Sequence, residues 1–368
     1  MKYCARCLQA DTRPGTFFNG EGVCPACIYH ESLRTVDWDE RKQELAQVVA
    51  FGRANNHSGY DCIIGVSGGK DSTRQAIFVK DVLKMNPLLV SLGYPPGQVS
   101  QRGVDNVSNM IRHGFDCINI NPGPITWRTL MRRGFFEYTN WCRSTELALF
   151  SSVPRLAIAY QIPLIWWGDM NVLGKTGSDG NSLRKMNTLG GGDNGWLLRE
   201  GIRADQILQY CYPPEAEMEE ANLRITFLGY FWKDWSLVDN GNFSALRGLD
   251  LRTDRPWEIG DTHGITSLDE DWVTLNQMIK YLKFGFGRVS DYVNEDIRNG
   301  RISRDEGIAL NEKYDGTCAD KYINSFCAFI GITVNDFWKH VDKAVNPVLF
   351  AKDGIGKYTP KFKVGVGL

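Results

Sequence analysis

No stretch of this 368-residue chain is apolar over the ~20 residues that a membrane-spanning helix needs, so insertion into a bilayer is not expected. The amino terminus carries no apolar core of the kind a secretory leader uses, which points to the cytoplasm. Charge of one sign is missing too, since 42 Lys and Arg stand against 43 Asp and Glu for a net charge of −1. Without a global basic field, nucleic acid is not expected as a partner. No low-complexity tract or fixed-period repeat is present, which excludes solenoid architectures. What remains is an ordinary globular composition, 43% apolar and 23% charged. Its length suits one large α/β domain with additions, or two domains.

Cysteine is not scarce, but it is concentrated. Cys4-Ala5-Arg6-Cys7 and Cys24-Pro25-Ala26-Cys27 are two C-x-x-C knuckles separated by a polar, glycine-containing loop. Two such pairs place four thiolates around one tetrahedral metal, the arrangement of a zinc ribbon, and iron–sulfur ligation is the alternative. A reducing compartment favours metal over disulfides. So small a segment can scarcely build its own core, so the metal is expected to stabilise it outright, as a closed structural site with no catalytic part. The remaining cysteines (62, 117, 142, 211, 318 and 327) form no C-x-x-C and read as small buried apolar residues. Cys142, in Asn140-Trp141-Cys142-Arg143, is the one to check for reactivity.

The most informative stretch is Asp61 to Ser72. Ile63, Ile64 and Val66 read as a buried strand that breaks into Ser67-Gly68-Gly69. Lys70-Asp71-Ser72 then opens a run with Ala76, Ile77, Val79, Val82 and Leu83 at the spacing of one helix face. Strand, glycine turn and helix start together offer backbone N–H groups and a positive helix end to a phosphate. Gly68 and Gly69 let the backbone approach closely, and Lys70 adds a point charge. Asp71 is a candidate magnesium ligand, or else an acidic charge at the first turn of the helix. The pattern is not a Walker A loop, because Gly65 is too near and Asp71 follows Lys70.

Strands are expected at 61–66, 88–92, 116–120 and 162–167, alternating with helices, which implies a parallel α/β sheet covered on both faces. The first helix of that region is expected to run to about Met85. Ligands in such sheets lie beyond the carboxyl ends of the strands. That rule gathers Ser67–Ser72, Leu92, Gly93, Asn121, Gly168 and Asp169 around one crevice, with Asp169 a second candidate near nucleotide and metal. The loop 174–201 is rich in Gly, Asn and Ser and reads either as a lid or as a surface insertion. Residues 225–262 are aromatic and irregular, and their chemistry is not legible. The C-terminal part reads as helical, with a capping box at Ser303-Arg304-Asp305-Glu306. Three segments follow: a zinc ribbon over 1–36, an α/β nucleotide domain over 37–215 and a mainly helical region over 216–368.

The block Ser67-Gly68-Gly69-Lys70-Asp71-Ser72 resembles the PP-loop of the ATP pyrophosphatase superfamily. Members cleave ATP between the α and β phosphates and adenylylate a carbonyl oxygen, which a nitrogen or sulfur nucleophile then displaces. Together with the cysteine ribbon, with Lys283-Phe284-Gly285-Phe286-Gly287-Arg288 through Arg301 and with Lys313-Tyr314-Asp315-Gly316, it is similar to the N-acetyl sugar amidotransferases of surface-polysaccharide synthesis. The resemblance covers nearly the whole chain. It implies ATP- and ammonia-dependent conversion of an acetamido group on a nucleotide-linked sugar, such as a UDP-diacetamido uronic acid, to an acetamidino group in O-antigen synthesis. ATP, Mg2+ and Zn2+ are the implied cofactors. Lys70, Asp71 and Asp169 would be catalytic, the loop with Leu92 and Gly168 would hold ATP, and Lys283 and Arg288 would bind the anionic sugar nucleotide.

The chain shows no G-x-C-x-G elbow and no thiol with an evident His partner. Ammonia is therefore expected from a partner, by resemblance a glutaminase similar to that of histidine biosynthesis joined through a cyclase-like barrel. Two rivals stand beside this reading. A tRNA-thiolating PP-loop enzyme should carry further paired cysteines and a basic surface, and this chain has neither. A non-catalytic PP-loop scaffold would not need the intact Lys70-Asp71-Ser72.

Overall fold

Ile63 and Ile64 point to opposite faces of one strand, and both faces are buried, which is the signature of a central parallel strand. The computed structural model describes residues 1–168, 197–198, 201–354 and 356–368; Asp169 and nearly all of the 174–201 loop lie outside the described residues. These residues divide into two units. One comprises Asp37–Leu251 with Ile265–Glu270, and the other Met1–Val36 with Arg252–Gly264 and Asp271–Leu368.

The N-terminal segment contributes helix α1 (Pro25–Ser32) to the second of these units. The sheet unit begins with α2 (Trp38–Ala54), whose Asp37 side chain caps the first turn by accepting from the Asp39 and Glu40 amides. Its strands are β1 (Cys62–Val66), β2 (Pro87–Leu92), β3 (Asp116–Ile120), β4 (Leu164–Trp167) and β5 (Arg224–Phe227). All pair in parallel, in the order β3-β2-β1-β4-β5. Between them lie α3 (Lys70–Asp81), α4 (Gln101–Arg112), α5 (Pro124–Tyr138), α6 (Cys142–Ala159) and the short α7 (Glu215–Glu220). Ile64, Val66, Leu89 and Trp166 pack with Leu45, Val48 and Val49 of α2 and with Ala76 and Val79 of α3. Ile63, Leu88, Val90, Ile165 and Ile225 pack on the other face with Val153 and Ala157 of α6. The parallel α/β class read from the sequence is what the chain adopts.

Two details differ from the sequence reading. Helix α3 stops at Asp81 rather than near Met85, because the chain folds back so that the Leu83 and Met85 amides donate to Phe78 and Val79 and Lys84 takes a positive φ. The illegible 225–262 segment supplies β5 and then α8 (Leu237–Ala245). The units are also drawn differently from the segments 1–36, 37–215 and 216–368. Residues 216–251 join the sheet unit because β5 extends the sheet beside β4, with Ile165 opposite Ile225.

The other unit holds the cysteine segment, α9 (Pro256–Ile259), α10 (Val273–Phe284), α11 (Arg288–Arg298), α12 (Arg304–Tyr314), α13 (Asp320–Ile330) and α14 (Val334–Ala344). It ends in an antiparallel hairpin, β6 (Phe350–Lys352) with β7 (Tyr358–Pro360). Ser303 and Glu306 form the expected capping box at the start of α12. The cysteine segment is tied to these helices: the Leu8 amide donates to Asn294 Oδ1 at 2.7 Å and Thr12 Oγ1 to the Phe284 carbonyl at 2.5 Å.

Candidate functional site

Strand β1 has β2 on one side and β4 on the other, so the chain reverses its direction of travel across the sheet there. That switch point opens a crevice at the carboxyl ends of β1 and β4. Ser67 follows β1 and Gly168 follows β4, which places the glycine loop where the fold offers a ligand site. Gly68 has φ +72°, and a Cβ there would lie 3.0 Å from the Val107 amide nitrogen of α4, so both conformation and space call for glycine. Gly69 is the N-cap of α3, and Ser72 Oγ donates to its carbonyl at 3.1 Å. The first amides of α3 therefore face the loop.

Lys70 and Asp71 are held by one network. Lys70 is buried, at 4% exposure, and its Nζ donates to Asp71 Oδ2 at 2.7 Å. Asp71 Oδ1 accepts from Asn240 Nδ2 at 2.6 Å, and Asn240 Oδ1 accepts from Arg74 Nη1 at 2.6 Å. The guanidinium of Arg74 lies 4.4 Å from the Trp232 ring centroid and 5.4 Å from that of Phe243. Ser244 Oγ donates to the Lys70 carbonyl at 2.8 Å. Asn240 and Ser244 are fully buried on α8, which packs along α3. Sequence reasoning missed both, because their segment shows only polar and aromatic residues without a motif, and it missed Arg74, which follows the loop on α3 but lies outside its six-residue signature. The Ser236-x-x-Asp239 cap was the one local signal that a helix starts there.

Of the other expected site residues, Leu92 is buried at the end of β2, and Gly93 donates to the Ile120 carbonyl at 2.7 Å. A Cβ on Gly93 would meet Asn121 Oδ1, so Gly93 and Asn121 are neighbours. A Cβ on Gly168 would lie 2.7 Å from Gln75 Oε1 and 3.1 Å from the Trp235 ring. Thr73 Oγ1 and Gln75 Nε2 are buried without a hydrogen-bond partner, two polar atoms left over beside the loop. Beyond Gly93, burial pushes up both the Tyr94 hydroxyl and the Asp269 carboxyl, which are hydrogen-bonded to each other.

The cysteines converge as their spacing predicts. Cys4, Cys7, Cys24 and Cys27 are buried, and their sulfurs all lie within 4.8 Å of one another. Cys4 Sγ is 3.9 Å from Cys27 Sγ, and Cys7 Sγ is 3.7 Å from Cys24 Sγ. A zinc ion with ~2.3 Å bonds needs tetrahedral sulfur edges of roughly 3.8 Å, so the donor set fits. Backbone amides of Gln9 and Cys24 donate to Cys7 and Cys4 sulfur at 3.4 and 3.2 Å. Hydrogen bonding with Cys24 holds the Cys4 thiol down and pushes Cys7 up, while Cys27 draws Cys24 down to about 7.

In the same unit, the two C-terminal motifs meet. Asp315 accepts from the Gly287 amide at 2.8 Å, the Val289 amide at 3.0 Å and Ser290 Oγ at 2.6 Å, so a carboxylate closes the amino end of α11. A Cβ on Gly287 would lie 2.6 Å from Asp315 Oδ1, and one on Gly316 2.1 Å from the Tyr281 ring, which explains both glycines. Arg288 is half-buried at the first position of α11. Lys283 lies at the end of α10 with Nζ 5.5 Å from the Phe284 ring centroid, its ammonium pushed down by burial.

Residues 262–363 match the family described as "LPS biosynthesis protein WbpG-like, C-terminal domain". The match spans both C-terminal motifs, Lys283–Arg301 and Lys313–Gly316, and supports the family resemblance that they carry. An uncharacterized protein, MJ1599, of Methanocaldococcus jannaschii is 23% identical over 111 residues, which are 30% of this chain and 39% of that protein. Among solved structures, the U34-tRNA thiolase NcsA from Methanococcus maripaludis with its [4Fe-4S] cluster aligns over 89% of this chain and 95% of its own. Its identity is 11% and its TM-score 0.28.

Proposed function

We propose that this chain, with a WbpG-like C-terminal domain and a PP-loop, is an AMP-forming amidotransferase that makes acetamidino sugars. Its substrate would be a nucleotide-activated N-acetyl sugar, such as a UDP-diacetamido uronic acid, and its setting O-antigen synthesis. The observation that carries this reading is the Ser67–Ser72 loop at the sheet's switch point, with Lys70 and Asp71 fixed at the head of α3.

The residues present fit ATP and magnesium. The loop and the first amides of α3 form an anion cradle, and Thr73 Oγ1 and Gln75 Nε2 are buried polar atoms in want of partners. Each Asp71 oxygen accepts one hydrogen bond and keeps acceptor capacity for a hard cation. ATP supplies the adenylyl group that makes the amide oxygen a leaving group. The chain's part is electrostatic: Lys70 and the loop amides stabilise charge where the pyrophosphate departs. Asn240 and Arg74 keep the Asp71 carboxylate in one orientation, so little reorganisation is left for the reaction. Leu92 and Gly168 would wall the nucleotide pocket, and Asp169 is kept as a candidate catalytic residue.

Lys283 and Arg288 would bind the anionic part of the sugar nucleotide, Arg being suited to bidentate phosphate or carboxylate contact. Zinc would hold the ribbon, and its role would be structural. Ammonia would come from a glutaminase acting through a cyclase-like barrel subunit. The test is incubation of the purified chain with ATP, ammonium and a panel of UDP-linked acetamido sugars, read by mass spectrometry for exchange of one amide oxygen for NH. Product with stoichiometric AMP supports the reading; a panel of candidate substrates returned unchanged, with no AMP formed, counts against it.

A further inference from the structure

The structure groups three cations around one carboxylate beside the Lys283–Arg288 motif. Asp291, on α11, accepts from Lys280 Nζ at 2.8 Å and is ion-paired with Arg13 of the cysteine segment. Arg288 stands one helical turn before Asp291, on the same side of α11, and acts electrostatically on both Asp291 and Lys280. The guanidinium of Arg13 lies 4.3 Å from the Phe286 ring centroid, and Lys280 Nζ lies 5.1 Å from the same ring. Phe286 is itself buried, so one apolar wall backs both cations.

The charges do not balance. Arg13, Lys280 and Arg288 bring three positive charges to two carboxylates, Asp291 and the Asp315 carboxyl on which Lys280 also acts, and among the described residues Arg288 makes no ion pair or hydrogen bond of its own. Burial pushes the Lys280 ammonium down, and Arg288 and Arg13 push it further, with Asp291 opposing them. Burial pushes the Asp291 carboxyl up, yet Lys280, Arg13 and Arg288 outweigh it and hold it well below the usual range. The side chains of Arg13, Asp291 and Lys280 are 26%, 24% and 23% exposed, closed enough to weaken screening and open enough for a ligand to reach. The amino end of α11 does not supply the missing anion, since Asp315 already occupies it with three hydrogen bonds.

We infer that Arg13, Lys280 and Arg288, with Phe286 behind them, form a phosphate-binding site that takes the phosphoryl oxygens of a nucleotide-linked ligand. The inference deepens the proposed function, on which it rests for the ligand's class, and it assigns Arg13 and Lys280 to a site that the sequence suggested only through Arg288 and Lys283. Asp291 then has a defined part: it holds Arg13 and Lys280 in place and leaves Arg288 to the incoming anion. A planar guanidinium can grip two phosphoryl oxygens at once, which Lys at that position could not.

The experiment is calorimetric titration of the full-length, zinc-loaded chain with UDP, UDP-N-acetylglucosamine and inorganic phosphate. The PP-loop is kept saturated with a non-hydrolysable ATP analogue, so the second site alone is read. Wild type should bind UDP and the UDP-sugar in a salt-sensitive manner. Arg288→Ala and Lys280→Gln should each weaken that binding at least tenfold with unchanged circular dichroism and zinc content, and Arg288→Lys should recover part of it. Binding of inorganic phosphate alone would mark a free-anion site and overturn the nucleotide-linked assignment. Unchanged UDP binding in folded Arg288→Ala and Lys280→Gln, or no binding by wild type, would overturn the site. Binding is read by titration and turnover by a separate amidine assay, so the two readings fail separately. Amidine formation with an unchanged KM in Arg288→Ala sinks only this inference, whereas tight UDP binding without amidine formation sinks only the proposed reaction.

Discussion

Asn240 donates its side-chain amide to Asp71 at 2.6 Å, from a helix that lies 169 residues further along the chain. Its carbonyl oxygen is held by Arg74, so the amide cannot turn and Asp71 always meets a donor. Asn240→Asp should place two carboxylates in contact, and Asn240→Ala should release Asp71 to pair with Lys70 alone. Both variants should lower the rate of ATP–pyrophosphate exchange by roughly 10- to 100-fold, the usual loss when a group that orients a metal or phosphate ligand is removed. The magnesium dependence is the telling readout. A shift of the half-saturating magnesium concentration supports the positioning role, and a loss of protein stability with normal kinetics in the folded fraction contradicts it.

The loop itself gives a second prediction. Lys70→Ala should cut AMP formation by about two to three orders of magnitude, the scale of losing one preorganised charge at the departing group. Asp71→Asn should act similarly through the metal. The nucleotide product should be AMP, with pyrophosphate, and high-pressure chromatography of the nucleotides checks it directly. ADP as the main product would overturn the superfamily assignment.

The ribbon should fail as a unit. Replacing any one of Cys4, Cys7, Cys24 or Cys27 by Ser should release the metal and reduce the yield of folded protein, because a cluster this small depends on metal for its own folding. Elemental analysis should find one zinc per chain, and strong chelators should lower the melting temperature. Folded protein with neither zinc nor iron would contradict the assignment, and iron with inorganic sulfide would replace zinc by a cluster.

Asp291 predicts an acid-side instability. Its carboxyl is lowered in the folded chain, so its contribution to stability is fully present above the unfolded value near ~4 and is lost as pH falls through the folded value. Wild type should therefore lose stability steeply below about pH 4, and Asp291→Asn should flatten that arm while lowering stability at neutral pH. Denaturant melts between pH 3 and 7 measure it. A parallel acid arm in the variant would show that other carboxylates carry the effect.

How far the sequence carries can be traced residue by residue. Ile63 to Ser72 announced strand, loop and helix because a parallel core strand must be continuously apolar and a phosphate turn must be glycine. Cys4 to Cys27 announced a four-thiol cluster of metal-binding spacing because ligand spacing is local. The α8 brace was invisible: Asn240 and Ser244 act through contacts made only once α8 lies along α3, and neither belongs to a spaced pattern. β5 was missed for a related reason, as Arg-Ile-Thr-Phe is four residues in an aromatic stretch and gains its partner only from β4. The Asp315–Gly287 contact joins two motifs that look independent in sequence, and the cation cluster needs Arg13, which lies between the cysteine pairs and reads there as loop.

The last prediction concerns nitrogen. Hydrolysis of glutamine by a thiol requires a cysteine that is readily ionised beside an imidazole. Outside the ribbon, burial pushes the thiols of Cys62 and Cys117 up, that of Cys318 up to about 12 and that of Cys327 up to about 11. These four are poor thiolates at neutral pH. The loop that would activate the amide oxygen, by contrast, is complete in this chain. The purified chain should therefore form amidine with high free ammonium and fail with glutamine. Since ammonia rather than ammonium is the nucleophile, the ammonium-driven rate should rise with pH between about 7 and 9, while a glutaminase-coupled rate should be flatter. Adding a glutaminase and its barrel subunit should restore glutamine use, and inactivating the glutaminase thiol should abolish it without touching the ammonium-driven rate. If the single chain used glutamine as well as ammonium, one of its own cysteines would have to be the nucleophile. Cys142→Ser and Cys211→Ser would then identify which.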